Sequence, residues 1–315
     1  MSWRYVGRRL VQLVVVLLIV TFFSFMLINL LPGDPVDNLC TGVCDQEQEA
    51  QIREELNLDE GVVQRYFDWL GGILTGDFGR YYDSGVQVSQ VLESALPVSL
   101  QLVIYTQIVA LVIAIPMGVL TAYRAGTVFD RSSNATAFGF LALPNYVLAF
   151  YLISIFALGL AWFPPGGYVY LSDNPIEHFK SMFLPVMALA AGQVAVYMRL
   201  LRSDMIQTLQ EDYITMAKAK GMPPRRVLFR HALRPSSLTL LTVAGLNVGT
   251  LIGGAVIIEV LFELPGMGTQ IFLTINNNEY VALQSYIAII GVAYVLINFS
   301  IDFTYSLVDP RIRHG

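Results

Sequence analysis

The side chains that could do covalent or metal chemistry are few in this chain and badly placed for it. Its three histidines, His178, His231 and His314, stand far apart in separate loops between apolar stretches, and neither of the two cysteines, Cys40 and Cys44, has a histidine near it. No cluster has the spacing of a metal site or a proton relay. Neither a Gly-x-Ser-x-Gly nucleophile turn nor a His-Glu-x-x-His zinc motif occurs, and no Gly-Lys dipeptide is present to build a phosphate-cradling loop. Catalysis therefore has no recognisable nucleophile and base to carry it. Cys40 and Cys44 could close a disulfide on an oxidising face of a membrane or stand as two thiols in a loop, and both readings remain open.

What the residues do offer is recognition. The segment Glu211-Asp-Tyr-Ile-Thr-Met-Ala-Lys-Ala-Lys-Gly221 is followed by Met222-Pro-Pro-Arg-Arg-Val-Leu-Phe-Arg-His-Ala-Leu-Arg-Pro235. Leu209, Tyr213, Met216 and Ala217 recur at helical spacing and predict one shared face, with Glu211, Lys218 and Lys220 pointing elsewhere. Gly221 can take the left-handed conformation that ends a helix, and Pro223-Pro224 cannot continue it. A second helix is expected after the prolines, with Arg226, Arg230 and Arg234 along one side. Such a basic, amphipathic helix pair could lie on an anionic lipid surface or fit a groove on a protein partner. The arginine stripe suits the first, and the Tyr213, Met216 and Ala217 face suits the second.

The elements that position this segment follow from composition. With 55% hydrophobic and only 14% charged residues among 315, and a mean hydropathy of +0.58, the chain lacks the charge to cover a soluble surface. Six stretches are long and apolar enough to cross a bilayer as helices: residues 10–31, 98–120, 137–162, 182–201, 238–261 and 286–308. The first apolar run exceeds the core of a signal peptide and no small-x-small cleavage site follows, so it is expected to be retained. Fifteen of the nineteen Lys and Arg, eight of them from Arg199 to Arg234, fall on one side of this topology, against Arg53, Arg65, Arg80 and Lys180 on the other. The positive-inside rule then makes both termini cytoplasmic, which an even number of spans requires. The segment 32–96 lies outside, with 13 carboxylates from Asp34 through Glu93. Helix-like stretches at Gln46 to Leu58 and Val62 to Leu74 predict a small helical insertion there. The segment 202–236 is the main cytoplasmic loop.

Polar groups inside the spans mark candidate pathway positions, because an unpaired polar group in hydrocarbon is unfavourable. They are Asn145, Gln193, Asn247, Asn298 and Asp302, with Glu259 expected near the outer end and able to reach water. Asn and Gln also bond between helices, so each has a purely structural alternative. Leu251-Ile-Gly-Gly-Ala255 and Ala190-Ala-Gly192 read as close helix contacts, and Pro144 and Pro185 as kinks.

The cytoplasmic segment, with its Ala-Lys-Ala-Lys-Gly221 core and His231-Ala-Leu-Arg234, resembles the coupling loop of the integral-membrane permease subunits of ABC importers, in the dipeptide, oligopeptide and nickel class. Leu31-Pro-Gly-Asp-Pro35, Gly76-Asp-Phe-Gly79 and Phe262-Glu-Leu-Pro-Gly-Met-Gly268 extend the likeness over nearly all of the chain. The resemblance implies an all-α membrane protein of six transmembrane helices with the type I ABC importer permease fold, forming a single permease domain over residues 1–315 with a small extracytoplasmic helical insertion. It implies that residues near Glu211, Asp212, Tyr213, Met216, Ala217, Lys218, Lys220 and Gly221 dock on an ATP-hydrolysing subunit, Ala217 and Gly221 supplying close approach and a tight turn. Thr215 and Met216 depart from the Glu and Ala of the general motif, and Pro235 comes one residue late. No cofactor would be bound by this chain, ATP and Mg being used by two partner subunits. The further partners implied are a second homologous permease, an extracytoplasmic peptide-binding protein and membrane lipid, with no nucleic acid, in a bacterial inner membrane. Nickel chelates or other small solutes are the alternative cargo, and a gradient-driven secondary transporter the alternative class.

Overall fold

The computed structural model describes residues 3–29, 36, 53 and 60–308, so Cys40, Cys44 and most of the Gln46 to Leu58 stretch lie outside the described residues. Among the described residues the regular structure is helical, apart from one isolated bridge between Arg80 and Gln87. That is the form expected of apolar segments in lipid, where a helix satisfies every backbone group within itself. The helices are α1 (Trp3–Asn29), α2 (Val62–Thr75), α3 (Val88–Tyr123), α4 (Val128–Ala142), α5 (Asn145–Leu152), α6 (Pro175–Thr208), α7 (Asp212–Ala219), α8 (Leu233–Leu261), α9 (Met267–Asn276) and α10 (Tyr280–Val308). A π-helical turn, Ile153–Gly159, extends α5, and a short turn at Pro224–Arg226 with a π-helical segment, Val227–Ala232, leads into α8.

Five helical stretches are long and apolar enough to cross a membrane, and α4 with the α5 segment makes a sixth if the pair counts as one span. That pair is bent by 103°, so the stretch expected at 137–162 is not the straight span that its hydropathy suggested. Leu143 is extended at φ −92, ψ 124 and Pro144 begins the new helix. A residue before proline is driven out of the helical region and proline itself has no N–H to give, so the chain breaks there. Pro185, by contrast, stays within an unbroken α6. The span expected at 98–120 lies inside the longer α3, whose first turns were assigned to the external insertion.

The chain divides into two compact units, residues 1–98 with 265–315 and residues 99–264. In the first, Val88, Ala95, Met267, Ala282 and Tyr286 form a buried cluster. Tyr66 of α2 sits edge-on to Phe22 and Phe25 of α1, and its hydroxyl pairs with Thr21 Oγ1 at 2.9 Å. The second unit holds a core rich in alanine, including Ala110, Ala114, Ala190, Ala195 and Ala244. Small side chains let helices approach closely and gain dispersion energy that lipid tails cannot supply. Gly118 of α3 illustrates it: a Cβ there would come within 3.0 Å of Leu201 on α6.

Candidate functional site

The loop that leaves α6 is built compactly. Three residues connect Thr208 to α7, whose first turn carries Asp212 and whose last carries Lys218, the signs that a helix dipole favours at each end. Gly221 takes φ +72, its N–H donating to the Lys218 carbonyl at 2.9 Å while Met222 N–H reaches Ala217 O at 3.3 Å. This is the left-handed helix stop for which glycine is suited, and Pro224 starts the next helical turn. The π-helical segment that follows changes the number of residues per turn, so Arg226, Arg230 and Arg234 do not keep the straight four-residue row that an α-helix would give them.

Burial corrects the expected face of α7. Ile214 is 0% and Ala217 only 6% exposed, both packed in one cluster with Val227, Leu228 and Ala232 of the returning segment. Met216 is 59% and Tyr213 46% exposed. Ala217 therefore belongs to the inner side of the helix and not with Tyr213 and Met216. Tyr213, Met216 and Lys220 make an outward row at i, i+3 and i+7, flanked by exposed Glu211, Asp212 and Lys218. The periodicity that grouped 209, 213, 216 and 217 covers too wide an arc for one side of an eight-residue helix pressed against a neighbour.

Three of the five candidate pathway residues converge in the second unit. Asn247 Nδ2 donates to Gln193 Oε1 at 3.0 Å, linking α8 to α6. Close by, Gln107 of α3 joins the same two helices: the Tyr197 hydroxyl donates to Gln107 Oε1 and Gln107 Nε2 to the Ala244 carbonyl, each at 3.2 Å. Asn145, the first residue of α5, lies 3.5 Å from where a Cβ on Gly254 would stand and 3.8 Å from one on Gly192, so both glycine stretches border it. Asn298 and Asp302 are on α10 in the first unit, and the side chain of Asp302 lies outside the described residues. Glu259 does not reach water: it is 1% exposed and accepts a hydrogen bond from Ser99 Oγ at 2.7 Å. His178 is not a loop residue either. It is buried in the first turn of α6, with Nδ1 at 2.7 Å from the Val169 carbonyl and Nε2 at 3.2 Å from the Tyr105 hydroxyl.

Two constructions escaped sequence reasoning. In the first unit, the loop after α2 turns on Gly76 and Gly79, both at positive φ, and is held by the start of α10. Glu279 accepts the N–H groups of Tyr82 and Asp83 at 2.6 and 2.9 Å, Ser285 Oγ donates to Phe78 O at 2.7 Å, and the Tyr81 and Tyr286 hydroxyls meet at 2.7 Å. Burial pushes the Tyr81 phenol above its ordinary value; the bond to Tyr286 opposes this and the Glu279 charge adds to it. Gly76-Asp-Phe-Gly79 counted in the sequence only as part of the family likeness, and its anchor nearly 200 residues away leaves no local signal. In the second unit, Asp130 at the start of α4 takes Arg202 of α6 in a two-pronged pair, Nε at 2.6 Å and Nη2 at 2.7 Å. It also accepts Gly126 N–H and Asn134 Nδ2, each at 2.8 Å. Fork geometry of this kind is the two-pronged contact that the arginine guanidinium makes with planar oxyanions such as carboxylate.

A bundle of apolar helices interrupted by a compact, polar helix-turn that shows one outward face is the architecture of a type I ABC importer permease. A chain of the MetNI methionine ABC transporter, solved in inward facing conformations, matches it with a TM-score of 0.58 over 70% of this chain and 97% of that one, at 16% identity. The chain belongs to the binding-protein-dependent transport system inner membrane component family, which matches residues 114–314, with the N-terminal component of such systems matching residues 2–103. It is 35% identical to the probable peptide ABC transporter permease protein y4tP of Sinorhizobium fredii, over 98% of this chain and 99% of that protein. It is 34% identical to the oligopeptide transport system permease protein AppB of Bacillus subtilis, at 98% and 99% coverage. With the di/tripeptide transport system permease protein DppB of Pseudomonas aeruginosa it shares 32% over 98% of each.

Proposed function

We propose that this multi-pass membrane protein forms half of the translocation pathway of an ATP-driven importer of di- and oligopeptides, with α7 as the element that docks on an ATPase. The observation that carries the cargo is the full-length likeness, at 32–35% identity, to peptide permeases of three different bacteria. Docking is supported by the outward row of Tyr213, Met216 and Lys220 on a helix whose other side is fixed to its own chain. The second half of the pathway comes from a homologous permease, ATP and Mg are used by two ATP-binding subunits, and an extracytoplasmic binding protein delivers the peptide. The chain sits in the bacterial inner membrane with both termini in the cytoplasm, as the Lys and Arg distribution supports. Closure of the ATPases shifts the population of permease conformations through α7. Asn145, Gln193 and Asn247 are the pathway candidates in the second unit, Asn298 and Asp302 those in the first.

The test is ATP-dependent uptake of labelled di- and oligopeptides by proteoliposomes holding the assembled transporter and its binding protein. Met216→Asp with Tyr213→Asp is expected to lower uptake by about tenfold or more, since a loss of about 1.4 kcal/mol of coupling free energy is one decade. Insertion and thermal stability should stay unchanged, because both side chains are exposed. Undiminished uptake by this variant would remove the docking role, and uptake without any peptide in the accepted substrate range would remove the cargo.

A further inference from the structure

An open crevice of about 820 Å³ lies between α4 and α6 in the second unit, lined by Arg131, Asn134, Ala135 and Phe138 from one helix and Val196, Arg199, Leu200 and Ser203 from the other. Its two ends differ in character. At one end stands the Asp130 and Arg202 pair, whose charges cancel. Arg131 and Arg199 are left over: among the described residues no carboxylate lies within ion-pair distance of either. Arg199 is held in place by the Phe138 ring, its guanidinium carbon 4.1 Å from the ring centroid, an arrangement that keeps its donors free for another acceptor. Beyond Arg199 and the Phe138 ring that it covers, the lining is apolar, with Leu141 and Val196. From Asp130 to Leu141 the lining helix rises about 16 Å at about 1.5 Å per residue. That distance spans the change from headgroup to acyl-chain depth at one face of a bilayer.

The arginine end also lies toward the end of α6 from which the polar loop departs, where a membrane surface must be. Two uncompensated guanidinium groups over an apolar trough fit one ligand chemistry: a phosphodiester carrying acyl chains. We propose that this crevice binds an anionic phospholipid of the adjoining leaflet, Arg131 and Arg199 holding the phosphate, Ser203 its polar neighbour, and Leu141 and Val196 the start of an acyl chain. The Asp130 to Arg202 pair keeps α4 and α6 apart at a fixed spacing and adds no net charge. This inference rests on α6 crossing the bilayer and not on the identity of the cargo.

The experiment is lipid retention by the assembled transporter in nanodiscs made with phosphatidylcholine and phosphatidylglycerol, read by native mass spectrometry after transfer to detergent. Wild type is expected to keep phosphatidylglycerol in preference to phosphatidylcholine. Arg131→Gln with Arg199→Gln should weaken that preference roughly 25- to 30-fold, at about fivefold per arginine near an anionic surface. Ala135→Trp, which fills the crevice and leaves every charge in place, should abolish it even if the double variant folds poorly. Equal retention by wild type and Ala135→Trp would overturn the proposal. So would displacement of the lipid by free glycerol phosphate at equal concentration, which would mark a small-anion site, and so would a cross-link from position 131 to the partner permease, which would mark a protein interface.

Discussion

Removing the carboxylate of Asp130 should test how the second unit is held together at the end of α6. Its two oxygens accept four donors: Arg202 Nε and Asn134 Nδ2 on one, Arg202 Nη2 and Gly126 N–H on the other. The Asp130 side chain is 4% exposed and that of Arg202 25%. In Asp130→Asn one oxygen becomes an amide that donates toward the guanidinium, so a charge-assisted bond is lost and a partly buried cation is left unpaired. Removing one partner of a fully buried pair costs about 3–5 kcal/mol. Water reaching the arginine reduces this, and an expected loss of about 2–3 kcal/mol follows. Arg202→Gln should cost about 3 kcal/mol or more, because the carboxylate that it strands is the deeper of the two groups.

The double variant is the informative arm. With both charges gone, neither is stranded, so its loss should fall short of the sum of the single losses by about 1.5–3 kcal/mol. Equilibrium unfolding of purified protein in mixed detergent micelles, with the four forms compared at one detergent ratio, gives each free energy. Strict additivity, or single losses below about 0.5 kcal/mol as for an exposed pair, would refute the assignment of this pair as a buried clamp.

Three further outcomes follow from the geometry. Ala217→Asp should destabilise the cytoplasmic loop by about 3 kcal/mol, as a carboxylate forced into a buried cluster, whereas Met216→Asp should move stability by no more than about 0.5 kcal/mol; limited proteolysis of the 209–226 region separates the two. Gly79→Ala should lower thermal stability by about 2–3 kcal/mol, the φ of +84 costing about 1–2 kcal/mol and the new Cβ meeting Val281 Cγ1 at 2.6 Å; a melting curve like that of wild type would contradict the loop's placement. Asn247→Leu should cost little stability, near the average of about 0.6 kcal/mol for a bond between membrane helices. A fall in peptide uptake much larger than that implies would assign Asn247 to the pathway, and unchanged uptake to a strut.

The helices were legible because an apolar run of about twenty residues has few alternatives in lipid. The helix stop at Gly221 could be read because left-handed backbone, glycine and a following proline pair form a local signal that no distant contact need support. What could not be read depends on partners far away in sequence. Asp130 and Arg202 are 72 residues apart, and Glu279 reaches backbone groups 196 and 197 positions away. Glu259 is expected at water from its place near the outer end of a span, and Ser99, 160 residues off, gives it a buried partner that no local pattern encodes. Ala217 was misplaced for a related reason. Periodicity says which residues share an arc of a helix, but which part of the arc is buried depends on Val227, Leu228 and Ala232, after a turn whose course no period encodes.

The inward position of Ala217 bears on how motion could pass through this loop. Ile214 and Ala217 tie α7 to the Val227–Ala232 segment, which runs without interruption into α8. On the other side only three residues join α7 to α6, and Thr208 Oγ1 meets Ser236 Oγ at 2.9 Å across the base of the two long helices. Higher up, Gln193 and Asn247 bridge the same pair. A displacement applied to the outward face of α7 therefore cannot be absorbed by the loop without exposing Ile214 and breaking that packing, because close-packed interiors transmit strain and do not deform smoothly. Moving α6 and α8 as one body leaves those contacts intact. Any docked ATPase would thus move a pair of spans and not a flexible tether.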